Sequence, residues 1–427
     1  MPLIETIRNA REAESPAKRE AQALDRADPL ASLRDAFDLP AGEIYLDGNS
    51  LGAMPRAAKA AMMEALAEGW GNDLIRSWNG RGWHMLPATL GDRLAPLMGA
   101  KPGEVLVADS TSVNLFKLLG AARRLRPNRR IVVSEANNFP TDVHIIQGAI
   151  ANMFPDVRLA LAQDDDESVL ALLGSDTAIL CLSHVNYRTG YLRDMARLTR
   201  AAHEAGALVI WDLCHSLGAL PVDLNACEAD FAVGCSYKYL NGGPGAPAWL
   251  FVAGRHLDDV QSPLTGWQGH AAPFSFDIDY RPAATIEKFR CGTPPVLSLL
   301  PLRESLSVFE QTSMEAVRAK SLKLTSLFIA LCEEKLAGHG FSVISPGDER
   351  RRGSQVALIH PDGWPIMQSL IACGVIGDFR APDILRFGFT PLYTTYQDVL
   401  GATETLTRIM ETGLWREPRF SERRLVT

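Results

Sequence analysis

The chain has 427 residues and a net charge of −7, with 47% of residues hydrophobic and 22% charged, which is the balance of an ordinary globular protein of about two or three domains or subdomains. Lysine and arginine are scattered singly, so no basic stripe argues for nucleic acid or an anionic membrane surface, and a small molecule is the expected partner. The seven cysteines show no CxxC spacing, and several lie in apolar runs such as "AILCLS", which reads as reduced thiols in a cytoplasmic protein. The N-terminus mixes both charges without an apolar core, which argues against a signal peptide, and no apolar run approaches the roughly 20 residues of a membrane span.

In chain order, residues 1–40 read as a polar, Ala-rich helix ending near "DLPAGE". "IYLDGNSLG" is a short strand running into a turn, and "PRAAKAAMMEALAEGW" is a helix with Pro55 near its first turn. From about 100 to 255 the apolar runs "EVLVAD", "RIVVSE", "VRLALA", "TAILCLSHV", "ALVIWDLCH", "DFAVGCSYK" and "APAWLFVA" alternate with amphipathic stretches such as "DMARLTRAAHEAGA". That alternation predicts an α/β fold, a largely parallel sheet with helices on both faces. After about 300 one long helical signal, broken in its middle, precedes "FSVISP", "GSQVALIHP", "PIMQSLIACGV", "ILRFGFTPLY" and a last helix, which together suggest a smaller α+β C-terminal domain. The expected division is 1–55 for an N-terminal segment packing with the small domain, 56–305 for the large domain and 306–427 for the small one.

Ligands of open α/β sheets bind at the carboxyl ends of strands. "ALVIWDLCHSLG" ends in Asp212, with His215 three residues on; "DFAVGCSYKYLNGG" ends in Lys238, 26 residues after Asp212. A strand-end acid followed by a strand-end lysine suits pyridoxal phosphate: the lysine condenses with the aldehyde, and the acid keeps the pyridine nitrogen protonated. Alone, Asp212 could be a helix cap and Lys238 a solvated loop lysine; the order, the spacing and the glycines after Lys238 favour the cofactor, to which glycine lets backbone come close. "ADSTSVNLFKLL" offers a helix start with the hydroxyls of Thr111 and Ser112 for a phosphate, or a simple cap. "EANNFPTD" offers Phe139 for ring stacking, with Thr141 and Asp142 as polar neighbours, and Ser183 is a further strand-end hydroxyl.

These stretches, together with "YLDGNSLG", "WGNDLIRSWNGRGW", "WDLCHSLGALPVDL", "CSYKYLNGGPG", "GWQGH", "FRCGTPP" and "LRFGFTPLY" in series, resemble the kynureninase family over more than about four-fifths of the chain. The resemblance implies fold type I of the pyridoxal-phosphate enzymes, with a mainly parallel seven-stranded sheet, and hydrolysis of L-kynurenine or 3-hydroxykynurenine to anthranilate or 3-hydroxyanthranilate and L-alanine. It implies that Lys238 is the Schiff-base lysine, Asp212 the pyridine-nitrogen partner with His215 beside it, and Phe139 the stacking ring. Thr111, Ser112, Pro140, Thr141, Asp142, Ser183 and Tyr237 then complete the cofactor shell. By the same resemblance, Trp267 and Thr293 are expected to reach the cofactor of the partner subunit in a homodimer; animal members of the family carry Asn where this chain has Thr293, and either side chain can donate to a phosphate. Arg386 matches the arginine for the substrate α-carboxylate, where a planar fork suits a bidentate contact; a strand arginine in a salt bridge is the competing reading. Ser50 and Trp78 match positions facing the aryl end, and Tyr237 is the candidate for proton delivery.

A cysteine desulfurase or selenocysteine lyase is the nearest rival, but Tyr237 stands where those typically carry His, and Cys373 lies in an apolar helical run. A non-catalytic protein on this fold would have lost the lysine or the acid. A nicotinamide dehydrogenase would show GxGxxG after a strand, and the nine histidines are dispersed, so no metal site is expected.

Overall fold

The computed structural model describes residues 2–11 and 14–423; Met1, 12–13 and 424–427, which fall in the expected N- and C-terminal segments, lie outside the described residues. The stretch expected as one N-terminal helix forms two, Pro2–Ala10 and Pro16–Arg26. Ser15 starts the second by accepting a hydrogen bond from the Lys18 N–H, and Pro16 takes the first helical position, where its missing N–H costs nothing. Helix Arg56–Glu64 follows Pro55 as expected and widens into a π-helical stretch through Asp73.

Seven strands form the large sheet: β1 (Val105–Val107), β2 (Ile131–Glu135), β3 (Arg158–Ala162), β4 (Thr177–Ser183), β5 (Leu208–Asp212), β6 (Phe231–Gly234) and β7 (Trp249–Val252). Their order is β1-β7-β6-β5-β4-β2-β3, parallel from β6 through β3, with β7 antiparallel to both of its neighbours. Every residue of β4, β5 and β6 is buried, which is why these strands read as continuous apolar runs. The side chains nevertheless alternate between two layers. Ile179, Cys181, Leu208 and Ile210 face helices α1 (Thr111–Leu125) and α2 (Pro140–Met153), whereas Leu180, Leu182, Val209 and Trp211 face α3 (Met195–Glu204).

The long C-terminal helical signal is two helices, α4 (Val296–Phe309) and α5 (Met314–Lys335), parted where Ser313 caps the second through the Ala316 N–H. A four-stranded antiparallel sheet follows, β8 (Ser342–Val343), β9 (Gln355–Ile359), β10 (Asp378–Arg380) and β11 (Ile384–Gly388), in the order β8-β9-β11-β10. Its core joins Leu358 and Phe387 to Leu324 and Phe328 of α5, to Val399 and Leu406 of helix α6 (Tyr396–Thr412), and to Ile7, Ile44 and Leu46 from the N-terminal stretch. Ile44–Tyr45 pairs in parallel with Val375–Ile376. Strand β10 was not anticipated: three residues between "GVIG" and "APDIL" are too short to show a period.

At the opposite edge of the large sheet, Asp230 precedes β6 and ties several elements together. Its carboxylate accepts from His203 Nε2 of α3 at 2.8 Å, His256 Nε2 at 2.7 Å, Arg255 Nη2 at 2.6 Å and the Val209 N–H of β5 at 2.8 Å. Burial opposes its ionisation, but the hydrogen bonds from His203 and His256 outweigh burial and hold the carboxyl below its usual range. A depressed carboxyl stabilises the fold above its unfolded pKa and stops doing so as pH falls through the folded value. Asp230→Asn is therefore expected to cost about 3 kcal/mol at neutral pH, measured by urea unfolding, and the difference from wild type is expected to shrink in acid.

Candidate active site

Strands β5 and β6 run side by side with Asp212 opposite Val233, and the Leu213 N–H continues the ladder to Val233 O at 2.8 Å. One strand thus ends on an acid, while the other runs on through Cys235 and Ser236 to Lys238. The chain then turns sharply: Asn241, Gly243 and Gly245 all have positive φ, at 53°, 87° and 72°. Of the glycines after Lys238, Gly245 alone among them faces the cavity below, so the run serves chiefly the left-handed turn rather than close approach to a ligand. The "DGNSLG" loop packs on the same segment: Gly52 N–H donates to Tyr237 O at 2.7 Å, and a Cβ at Gly52 would lie 2.3 Å from Lys238 O.

Lys238 Nζ lies 2.8 Å from His215 Nε2, and His215 Nδ1 lies 2.9 Å from Gln355 Oε1 of β9. Burial, then the neighbouring cations Lys238 and Arg386, push His215 well below its usual range, so the ring is neutral. Asp212 Oδ1 accepts from the Cys214 N–H at 2.6 Å. Beside it Asp142, in the first turn of α2, is pushed well above the carboxylate range by burial and then by its neighbour Asp212.

These groups face a cavity of about 520 Å³ also bordered by Thr111, Ser112, Phe139, Thr141, Ser183, Tyr187 and Tyr237. Helix α1 opens onto it, its cap Ser110 accepting from the Val113 N–H at 3.3 Å. Phe139 is 41% exposed there; Lys238 Nζ lies 5.8 Å from its ring centre, and the Tyr187 ring meets it edge-on at 5.2 Å. Ser183 Oγ donates to Asn138 Oδ1 at 2.7 Å, and that oxygen also accepts the Phe139 N–H at 2.8 Å, so Ser183 steadies the loop that carries the ring. Burial first, then Cys235 and Cys214, hold the Tyr237 hydroxyl protonated. On the far wall the β1–β7 ladder extends past both strands, with Ala108 N–H donating to Ala248 O at 2.9 Å and Ala248 N–H to Asp109 O at 2.8 Å.

The donor set fits pyridoxal phosphate: a helix N-terminus with two hydroxyls for the phosphate, an aromatic face for the ring, a pair of carboxyl groups at one end and a lysine at the other. Among the described residues no group of three or more His, Cys, Asp and Glu could hold a metal, and no helix is long and apolar enough to cross a membrane.

Arg386 on β11 and Ser50 sit next to this cavity rather than on its wall. Arg386 is 1% exposed and directly opposite Asp378 in the β10–β11 register. Its Nε donates to Asp378 Oδ1 at 2.7 Å and its Nη2 to Asp378 Oδ2, a bidentate pair; Nη2 also reaches Ser50 Oγ at 3.2 Å, and Nη1 donates to Tyr187 O at 2.5 Å. The salt-bridge reading of Arg386 is thus realised, and an Nη1 N–H remains on the edge beside Tyr187. Burial opposes ionisation of Asp378, but Arg386 and Arg380 hold it below the usual range, while burial and Asp378 push Asp47 up to about 7.

Besides Arg386 and Ser50, four further expected residues lie off the cavity wall of their own chain. Pro140 occupies the first turn of α2, Trp78 packs edge-on against Trp83 with centroids 6.2 Å apart, Thr293 lies with Arg290 and Pro294 in an adjoining cleft, and Trp267 is 41% exposed beside Phe274 and Phe276. Sequence reasoning missed Tyr187, Gln355 and Asp378. It also missed Lys117, fully buried on α1, which pairs with Asp109 and donates to Phe289 O at 2.6 Å, joining the phosphate-side loop to the segment carrying Thr293. A lysine within the apolar stretch "NLFKLLGAA" was the available signal.

Residues 44–361 match the aminotransferase class-V family and residues 317–406 the kynureninase C-terminal domain. Solved structures with this fold include a cysteine desulfurase from Thermococcus onnurineus, 17% identical with a TM-score of 0.73 over 89% of this chain and 98% of that one. Another is the cystine C-S lyase C-DES with its product cysteine persulfide, 18% identical with a TM-score of 0.73 over 86% and 98%; at these identities the likeness concerns the fold. Cys373, the cysteine relevant to a desulfurase reading, is fully buried, and its thiol is pushed up to about 11 by burial. Curated relatives named kynureninase from Burkholderia pseudomallei and Pseudomonas fluorescens are 53% and 49% identical over 96% of this chain and 99% of theirs. The chain belongs to the kynureninase family.

Proposed function

We propose that the chain holds pyridoxal phosphate through Lys238 and hydrolyses the Cβ–Cγ bond of L-kynurenine or its 3-hydroxy derivative, releasing L-alanine and anthranilate or 3-hydroxyanthranilate. The observation that carries this reading is the meeting of Asp212, His215 and Lys238 at one cavity from adjacent parallel strand ends, in a chain 53% identical to a kynureninase. The bound cofactor supplies an electrophilic carbon and a protonated ring that accepts the electrons left at the substrate α-carbon.

The protein's own groups have these proposed parts. Thr111 and Ser112 receive the phosphate at the start of α1, and Phe139 covers one face of the ring. Asp212, with Asp142 beside it, keeps the ring nitrogen protonated. The Lys238 amine removes the α-proton. Arg386 receives the α-carboxylate through its Nη1 edge; Ser50, bonded to Asp378 and Arg386, and Trp78, which stands off this chain's cavity against Trp83, are assigned to the aryl end of the substrate. Tyr237, protonated at neutral pH, delivers a proton to the product as water's oxygen ends up on the aryl carbonyl carbon.

Trp267 and Thr293 act across the interface of a homodimer. The exposure of Trp267, Phe274, Phe276 and Ile278 along one segment supports a covered apolar face there. The domain division proposed is 1–55, 56–305 and 306–427, and the working compartment is the cytoplasm.

Mixing cofactor-loaded protein with L-kynurenine is expected to produce anthranilate fluorescence, and Lys238→Ala is expected to abolish it. Loaded protein that gives neither anthranilate from kynurenine nor 3-hydroxyanthranilate from its 3-hydroxy derivative defeats the substrate assignment. Arg386→Lys loses the planar fork, and KM is expected to rise about 10- to 100-fold with a smaller change in kcat, read from steady-state kinetics.

A further inference from the structure

Gln355 is 1% exposed and 140 residues from His215 in the chain, yet its side chain touches both halves of the site. Its amide can sit only one way round. Gln355 Nε2 donates to Tyr187 O at 2.9 Å and Asn186 O at 3.4 Å, so the carbonyl Oε1 is the atom turned to His215. The loop holding those two carbonyls is itself braced. Asn186 Oδ1 accepts the backbone N–H groups of Arg188 and Thr189 at 2.9 and 3.1 Å, and Gly190, at φ 73°, packs so tightly that a Cβ there would lie 2.9 Å from Gln355 Cγ. An acceptor 2.9 Å from Nδ1 requires the proton on Nδ1 and leaves the lone pair on Nε2, aimed at Lys238 Nζ 2.8 Å away. Tyr187 O, which holds Gln355, also accepts from Arg386 at 2.5 Å.

We propose that Gln355 is a positioning residue for the reaction: it fixes the His215 tautomer so that Nε2 serves as acceptor for the amine of Lys238, coupling strand β9 to the cofactor lysine. This rests on the reading of Lys238 as that lysine. The charges acting on His215 are Lys238, Arg386 and Arg380. Those around Lys238 include the Asp142 carboxyl and the Cys214 and Cys235 thiols, with Asp212 and Tyr237 on the same cavity wall; none of these touches Nδ1. Without Gln355 the ring is free to carry its proton on Nε2 instead, and Lys238 then loses an acceptor that favours its ammonium form.

The test follows uptake of pyridoxal phosphate by apoprotein across neutral to alkaline pH, with borohydride trapping to identify the lysine modified. Uptake requires the free amine, so its pH midpoint reports on Lys238. Gln355→Met keeps the volume of the side chain but removes the carbonyl, and Gln355→Leu is a second variant with different packing. The midpoint is expected to fall by about half a pH unit or more, with kcat for kynurenine down about 10- to 100-fold and KM little changed. In a His215→Leu background the same change is expected to move the midpoint no further, because the acceptor is already gone. An unaltered midpoint in either folded variant overturns the proposal, as does an equal shift in the His215→Leu background. Wild-type apoprotein that traps no cofactor on Lys238 overturns instead the cofactor reading beneath it.

Discussion

The pairing of β5 with β6 governs the chemistry of the chain. Asp212 opposite Val233, with Leu213 N–H on Val233 O, decides which side chains emerge together where the two strands run out. Side chains alternate along a strand, so a slip of one residue would turn the acid from the α1–α2 face of the sheet to the α3 face and carry Lys238 away from His215. Such a slip is strongly disfavoured because Ile210 and Phe231 pack in one layer and Trp211 and Ala232 in the other. The register is secured by apolar packing some residues before the reactive groups, and those groups are therefore free to be polar.

Much of this was legible in the sequence because the information is local. The apolar runs marked all seven strands of the large sheet, and the strand-end positions of Asp212 and Lys238 followed from them directly. Thr111 and Phe139 were found in the same way, as first residues after a strand or at a helix start. What escaped depends on distant pairing. Gln355 looks like a polar residue in a surface strand until β9 is laid against the 184–193 loop, and Asp378 means little until β10 is set antiparallel to β11 and places it opposite Arg386. One helix boundary failed for a different reason: Ser15 interrupts a pattern whose propensity otherwise continues on both sides, whereas the break expected within the long C-terminal signal falls at Ser313.

Buried charge recurs through the fold, and it does so in pairs. Arg386 with Asp378, and Arg193 with Glu135 and Asp166, are almost wholly enclosed, and Lys117 is fully buried against a partly exposed Asp109. Removing charges from water costs several kcal/mol per ion, about as much as pairing returns, so such pairs contribute direction more than net stability. Each fixes one loop relative to one strand. Lys117 sets the phosphate-side turn against Phe289, and Asp378 holds the guanidinium of Arg386 in a single plane.

The antiparallel strand β7 has a mechanical consequence. Because it returns against β1, the chain after Lys238 is stitched to Ala108 and Asp109 by backbone hydrogen bonds that continue beyond the regular sheet. Swinging this wall outward would break that stitching and expose buried amides, so it behaves as a fixed jamb rather than a hinged door. The opposite wall is made of side chains, Phe139 and Tyr187 among them, which turn about single bonds. Adjustment of the cavity to a molecule thereby falls to these side chains rather than to the backbone, and that division is set by the direction in which one short strand runs.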